Sequence, residues 1–122
     1  MIRIIEKRQL GSHKDDRGIL LWASPKLLKF DYKYLTIGSI EPGCKRGGHY
    51  HKNTFEQFLC ISGRITYFRD NEKIELEPGN IVDIPLGTVH TFINDGKEPA
   101  HFIEFKSVEV KSGEDDVYRR DN

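Results

Sequence analysis

The spacing of turn residues constrains the fold of this chain more than any other feature of its sequence. Runs of roughly four to eight strand-forming residues are separated by Gly, Pro, Asn or Asp at short intervals. Val, Ile, Thr, Tyr, Phe and Trp number 36, whereas Ala, Leu and Met number only 12, so strands are favoured over helices. With 11 Gly and 5 Pro as breaks, the sequence predicts an all-β sandwich or barrel.

The predicted elements follow this spacing along the chain. Strands are predicted at residues 2–5, 19–23, 32–40, 55–61, 64–69, 73–76, 81–84, 89–93 and 100–105. A polar connection is expected at residues 11–17, ending in a turn at residues 16–18. One helical turn is predicted at residues 24–29, with Ser24 as its cap and Pro25 at its first position.

Length and charge narrow the classes of function. A chain of 122 residues has room for one domain, which we place at residues 1–110, followed by a polar tail at residues 111–122. Its 19 Lys and Arg residues balance 19 Asp and Glu residues, so it lacks the basic surplus typical of nucleic-acid or anionic-membrane binding. No run approaches the roughly 18–20 apolar residues of a transmembrane helix. We therefore expect neither nucleic acid nor a membrane as partner.

The cysteines and the N-terminus bear on location. Cys44 and Cys60 are too few for a disulfide framework. Charged residues interrupt the apolar residues at the N-terminus, so we expect no secretion signal. The sequence therefore predicts a cytoplasmic protein.

Three of the five histidines and one glutamate form an ordered pattern. His49 and His51 are two residues apart, so on a strand both rings point to the same face. Glu56 follows five residues later, and His90 lies on a later strand. If the sheet closes, these side chains can converge inside it. Three imidazoles and one carboxylate suit a divalent transition metal with open positions for a ligand.

Glycine and proline frame these residues at fixed spacings. Five residues separate Gly43 from His49, and Gly63 follows Glu56 after six more. In a second block, residues 79–94, five residues stand at fixed intervals: Gly79, Pro85, Gly87, His90 and Asn94. Residues 43–63 and 79–94 resemble the two signature motifs of the cupin superfamily.

The cupin resemblance implies both a fold and a ligand set. The implied fold is a single-domain double-stranded β-helix, a small jelly-roll barrel. The implied metal ligands are His49, His51, Glu56 and His90. A set of this kind accepts Zn, Fe, Mn or Ni, so the metal stays open.

Local sequence resembles the cupins that act on nucleotide sugars. Residues 46–51, Arg-Gly-Gly-His-Tyr-His, are similar to the corresponding stretch of deoxysugar 3,4-ketoisomerases and of dTDP-4-keto-6-deoxyglucose 3,5-epimerases. Residues 15–18 resemble the Asp-x-Arg-Gly turn of those families. Residues 82–96 further resemble the cupin domain of capsular-sugar epimerase/reductases, a metal-binding branch. The ketoisomerases generally lack the complete ligand set that this chain has.

The nucleotide-sugar resemblance implies proton transfer next to a carbonyl. The expected substrate is a nucleotide-linked keto-deoxysugar, isomerised or epimerised through an enediolate. In a metal-free site, His49 and His51 are the acid/base candidates. In a metal site they are ligands, and Tyr67 or Tyr34 would move the proton.

Two arginines are the candidates for binding the diphosphate of such a substrate, because guanidinium groups suit phosphate oxygens. They are Arg46 and Arg17. For Arg17, an ordinary surface turn residue is an equally good interpretation.

Two further classes of function stay open at this stage. The ligand set alone favours a metal-dependent oxygenase or another small-molecule metalloenzyme, and the fold also serves non-catalytic sugar-binding proteins. Trp22, Phe55 and Phe58 are predicted to lie in the core or at a dimer interface. Small cupins commonly pair through their outer sheet, so the resemblance also implies a homodimer.

Overall fold

A computed structural model describes residues 2–24, 27, 32–107 and 116–119. Within these residues the chain forms short strands and a single 3₁₀ turn at Lys7–Gln9. The strands are β1 (Ile4–Ile5), β2 (Gly11–Asp15), β3 (Gly18–Trp22), β4 (Tyr34–Ile40), β5 (Lys45–Tyr50), β6 (Glu56–Ser62), β7 (Ile65–Arg69), β8 (Glu72–Leu76), β9 (Ile81–Ile84), β10 (His90–Ile93), β11 (Ala100–Lys106) and β12 (Tyr118–Arg119). In the part of the chain covered by these ranges, no helix is long and apolar enough to span a bilayer.

Two five-stranded sheets form the body of the molecule. Their strand orders are β1-β9-β6-β11-β4 and β12-β5-β10-β7-β8, and every neighbouring pair is antiparallel. Strands that follow one another in sequence often lie in opposite sheets, which is the jelly-roll arrangement. The β2–β3 hairpin forms a separate two-stranded sheet. The prediction of an all-β jelly roll is confirmed.

The core between the two sheets is built on stacked aromatic rings. Phe58 of β6 stacks on Phe92 of β10, with ring centroids 3.8 Å apart. Phe102 of β11 lies 4.7 Å from Phe58, and Tyr67 of β7 lies 4.8 Å from Phe92. These rings come from both sheets and are almost fully buried. Their packing fixes β6 and β10 relative to each other, and these strands also carry Glu56 and His90.

The prediction of a polar connection at residues 11–17 is wrong, because the first five of these residues form β2. This strand pairs with β3 in continuous antiparallel register, and the predicted turn lies between them. Three central residues of β2 are exposed and polar, so the strand carries no apolar alternation that sequence could reveal. Trp22 of β3, predicted to lie in the core or at an interface, is 53% exposed and packs against Gly11.

Two further predictions, the helical turn and the polar tail, concern segments that the structure describes only in part. Most of the helical turn predicted at residues 24–29 lies outside the described residues, although the Leu27 amide donates to the Ser24 carbonyl at 2.9 Å. Within the predicted polar tail, residues 116–119 do not lie loose. They include β12, which pairs with β5, and the Tyr118 ring stacks on Tyr50 at 5.6 Å.

Candidate metal and substrate site

Three imidazoles meet where β5 and β10 pair. His49 stands opposite His90 in the register of these strands, and His51 follows directly after the last residue of β5. Their ring centroids are 4.6–5.1 Å apart, and one nitrogen from each ring lies within 4.8 Å of the others. The structure therefore brings His49, His51 and His90 together, as the sequence predicted.

Glycine at position 47 permits this close approach. Gly47 has a φ of +116°, and a Cβ there would lie 2.4 Å from the His90 carbonyl oxygen. The strand register shifts at this place, between His90 and Thr91. Next to it, the Gly48 amide donates to the Thr91 hydroxyl at 3.0 Å. A side chain at position 47 would hold β5 away from β10, and His49 away from His90.

Glu56 brings the opposite sheet into the cluster. It is the first residue of β6, is 1% exposed, and its Oε1 contacts Nε2 of His51. Its Oε2 lies 3.7 Å from Nζ of Lys106, which stands opposite Glu56 in the β6–β11 register. Glu56 thus joins the cluster through His51, whereas the donor atoms that lie within 4.8 Å of one another belong to the three histidines.

Backbone carbonyls orient two of the rings. Nδ1 of His51 donates to the Asp116 carbonyl at 2.8 Å, and Nδ1 of His90 donates to the Thr88 carbonyl at 3.2 Å. A carbonyl only accepts, so each Nδ1 carries its hydrogen. Nε2 of each ring is then the nitrogen left to face a ligand, as is common around protein-bound metals.

The electrostatics divide the imidazoles into two kinds. Burial lowers the pKa of His49 to about 4, and the neighbouring rings of His90 and His51 contribute to this shift. Burial likewise lowers the pKa of His90 to about 4. Burial alone would also lower the pKa of His51, but the hydrogen bond and charge of Glu56 outweigh it and raise that pKa. Near neutral pH, His49 and His90 are therefore neutral, the form in which imidazole binds a metal.

A second carboxyl, on Glu104 of β11, shares this environment. Burial and the neighbouring Glu56 carboxyl raise the pKa of Glu104 well above its usual range. The pKa of Glu56 is lowered although burial opposes this, because Glu104, His51 and the Lys106 charge favour its ionised form. Protonation is therefore favoured on Glu104 and ionisation on Glu56. Sequence reasoning missed Glu104, whose only signal is alternation with buried Phe102 on one face of β11.

A cavity of about 740 Å³ opens onto the cluster. His49, His51, Glu56 and Glu104 line it, together with Tyr34. Four cationic side chains line the same cavity: Lys45, Arg46, Lys106 and Arg119. The cavity therefore combines imidazoles and carboxyls with an excess of positive charge.

The remaining predicted site residues lie in different places. Arg46 lines the cavity, and its Nε donates to the Ser39 carbonyl at 3.0 Å. Arg17 lies in the β2–β3 turn, where it is paired with Asp15 at 2.7 Å and is not among the residues lining the cavity. Tyr67 is fully buried in the core, where its hydroxyl donates to the Asp83 carbonyl at 3.3 Å. Neither Arg17 nor Tyr67 is brought to the cavity.

The residues present fit a divalent transition metal. Nδ1 of His49 is buried and forms no hydrogen bond with any of the described residues. Such an orphaned nitrogen is costly unless something binds it. Two neutral imidazoles, a third ring held by its Nδ1, and one carboxylate supply the donor atoms that Zn, Fe, Mn and Ni accept.

A family model described as Cupin domain matches residues 36–106, well over half of the chain. The chain belongs to the cupin family. Both motif blocks lie inside the matched region, so the resemblance found in the sequence is confirmed.

One curated relative is quercetin 2,3-dioxygenase from Bacillus subtilis (strain 168). It is 33% identical over 63 residues, which is 51% of this cupin and 19% of the dioxygenase. This cupin therefore spans about a fifth of that relative's length.

Two solved structures resemble this cupin over nearly its whole length. The capsular polysaccharide assembling protein CapF from Staphylococcus aureus is 26% identical with a TM-score of 0.66, covering 93% of this chain and 33% of CapF. The WlaRB TDP-quinovose 3,4-ketoisomerase from Campylobacter jejuni is 21% identical with a TM-score of 0.80, covering 98% of this chain and 92% of WlaRB. At this identity the second likeness establishes the fold alone.

Proposed function

We propose that this cupin isomerises or epimerises a nucleotide-linked keto-deoxysugar, with a divalent transition metal held by His49, His51, Glu56 and His90. The observation that carries the proposal is the cavity, in which four cationic side chains accompany the imidazole cluster. A nucleotide diphosphate is an anion that Lys and Arg side chains bind through its phosphate oxygens. Arg46 and Arg119 are the guanidinium groups that line the cavity and could make this contact.

Sequence likeness supports the same class of substrate. Residues 46–51 are similar to the motif of nucleotide-sugar cupins. CapF, which is 26% identical to this cupin, by its name assembles capsular polysaccharide. A nucleotide sugar suits a site that must bind both a polyanion and a keto-sugar.

The chemistry requires a proton to leave the carbon next to a carbonyl. The electron pair of that C–H bond moves towards the carbonyl oxygen, and the proton returns to the other face or to a neighbouring carbon. A divalent metal supplies Lewis-acid polarisation of the carbonyl oxygen. Tyr34 and Glu104 line the cavity outside the ligand set. Glu104, which favours its protonated form, is placed to return a proton, and Tyr34 is the side chain left to remove one. Without a metal, His49 and His51 take that role.

A second candidate is a metal-dependent oxygenase. The ligand set of three histidines and one glutamate favours it, and so does the likeness to quercetin 2,3-dioxygenase. The four cations that line the cavity separate the two candidates, because they favour a substrate that carries negative charge. We therefore place the oxygenase second.

We further propose that two copies of the chain associate. Several large apolar side chains are exposed on the hairpin and on β4, which is an edge strand. Leu20 is 67% exposed, Trp22 53% and Ile37 71%. Exposed apolar side chains of this size are common where copies of a protein meet, and the cupin resemblance implies a homodimer.

The free thiols of Cys44 and Cys60 support the reducing cytoplasm as the location of the protein.

The decisive experiment measures binding and conversion of nucleotide sugars. We expect a panel of TDP- and UDP-linked 4-keto-6-deoxysugars to raise the melting temperature, and NMR of the mixture to show exchange of the proton next to the carbonyl for deuterium. Arg46→Ala should weaken binding strongly. The matched control Arg64→Ala should not, because Arg64 pairs with Glu75 at the surface and does not line the cavity.

Three outcomes would contradict the proposal. Binding without deuterium exchange would indicate a non-catalytic sugar-binding protein. No binding by any nucleotide sugar, together with metal-dependent oxygen consumption, would favour the oxygenase. The metal centre would be excluded if the purified protein holds less than one equivalent of metal and its melting temperature and turnover do not change on chelation.

A further inference from the structure

Asp116 forms four hydrogen bonds with the segment that contains His51. Its backbone carbonyl accepts from Nδ1 of His51 at 2.8 Å. Its carboxylate accepts from the Lys52 amide at 3.1 Å, the Asn53 amide at 2.8 Å and the Thr54 hydroxyl at 2.7 Å. These bonds join residues more than 60 positions apart in the sequence.

The two kinds of bond have different consequences. The three bonds to the carboxylate fix the position of Asp116 against residues 52–54. The carbonyl of Asp116 therefore faces the His51 ring, where it requires a hydrogen on Nδ1. Nε2 of His51 is then left to face Glu56 and the other imidazoles.

The backbone at Asp116 supports this interpretation. Its φ is +56°, a region that non-glycine residues rarely adopt and that Asp and Asn tolerate best. The conformation has an energetic cost that the three carboxylate bonds offset. The strand that follows, β12, pairs with β5 and lines the cavity through Arg119. Residues 116–119 are therefore joined to the site at two points.

We propose that Asp116 is the positioning residue of His51, and that residues 116–119 are a structural part of the cupin site. Asp116 is not among the residues that line the cavity. It acts through its carbonyl, which accepts the Nδ1–H of His51 and thereby fixes the direction of Nε2. Outer partners of this kind typically change metal affinity about 10–100-fold when they are removed.

The test replaces the carboxylate without disturbing the backbone. Asp116→Gly keeps the carbonyl and tolerates the positive φ, but it loses all three side-chain bonds. Asp70→Gly is the matched control, because Asp70 has a φ of +52° in the β7–β8 turn, which carries none of the site residues. Thr54→Val is a milder second variant, which removes one bond and keeps the shape of the side chain.

Two readouts are needed, and one requires no metal. The Nδ1–H proton of His51, followed by NMR in the chelated protein, exchanges with solvent at a rate that reports its hydrogen bond to the Asp116 carbonyl. We expect slow exchange in the wild type and in Asp70→Gly, and clearly faster exchange in Asp116→Gly. Titration with Co²⁺ should show binding about 10–100-fold weaker in Asp116→Gly, a smaller loss in Thr54→Val and none in Asp70→Gly.

The metal measurement rests on the proposed metal centre, whereas the proton-exchange measurement does not. If no variant binds Co²⁺, including the wild type, the metal centre fails and the proton-exchange measurement still decides about Asp116. Unchanged exchange of the His51 Nδ1–H proton in Asp116→Gly overturns the proposal. So does equal loss of Co²⁺ affinity in Asp116→Gly and Asp70→Gly, because that result reports general destabilisation.

Discussion

Substitution of Gly47 by alanine tests whether close approach of β5 and β10 builds the site. The Cβ of an alanine there would lie 2.4 Å from the His90 carbonyl oxygen and 2.8 Å from the Thr91 Cα. Both obstacles are backbone atoms, so no side chain can rotate away. Gly48 is the matched control, since its φ is +75° but a Cβ there meets nothing within 4 Å.

The contact distances give the expected loss of free energy of unfolding in the two variants. Alanine at either position has a positive φ, which costs about 1–2 kcal/mol. At Gly47 the added carbon must also move from 2.4 Å to an ordinary contact of about 3.4 Å, so the strands have to part by about 1 Å. Overpacking of this kind adds about 1–3 kcal/mol. We therefore expect Gly47→Ala to lose about 1–3 kcal/mol more free energy of unfolding than Gly48→Ala.

Separation of the strands should also disturb the cluster, because His49 and His90 stand opposite each other across them. Metal–ligand distances tolerate only about 0.2 Å of error. Urea denaturation measures the free energy of unfolding, and Co²⁺ titration measures the affinity of the folded protein. We expect Gly47→Ala to bind Co²⁺ at least about tenfold more weakly than Gly48→Ala. Equal stability and equal affinity in the two variants would refute the reasoning.

Two further predictions concern buried groups. In metal-free protein, His90 has a pKa of about 4 against 6.5 in the unfolded chain, so protonation favours unfolding. Its stabilising effect is complete above pH 6.5 and falls by up to about 3 kcal/mol as the pH drops to about 4. Urea denaturation of His90→Asn should therefore show a flatter pH dependence than the wild type, and equal slopes would contradict this. Tyr67→Phe should lose about 1 kcal/mol of stability, because it removes one buried hydroxyl bond. It should leave turnover of the nucleotide sugar unchanged, and a large loss of turnover would return Tyr67 to the catalytic candidates.

The fold and the His49–His51 pair could be predicted because they depend on local patterns. Gly and Pro mark the turns, and alternation of apolar residues marks the strands. His49 and His51 share a face because a strand has a period of two. Their contact with His90 is not local, and only the two motif blocks at residues 43–63 and 79–94 predicted it. In the structure the pairing of β5 with β10 produces the contact directly.

Alternation along β7 does not predict whether the Tyr67 side chain faces the cavity or the core. A tyrosine on a strand of a barrel can face the cavity or the core with the same sequence pattern. In the structure the ring stacks on Phe92 and its hydroxyl bonds a backbone carbonyl. The distinction depends on which layer of the barrel interior the residue occupies, and sequence alone does not give that depth.

Glu104 and Asp116 could not be found from sequence because each gains its role through a partner far along the chain. In the sequence nothing distinguishes Glu104 from the other acidic residues. The β6–β11 pairing places it beside Glu56, and there its pKa is raised while that of Glu56 is lowered. Asp116 belongs to a polar stretch that resembles a loose tail, yet its carboxylate bonds residues 52–54. Both residues act on the predicted ligands and not as ligands. Glu104 and Asp116 both lie in the last third of the chain and outside the two motif blocks, so a search confined to those blocks does not reach them.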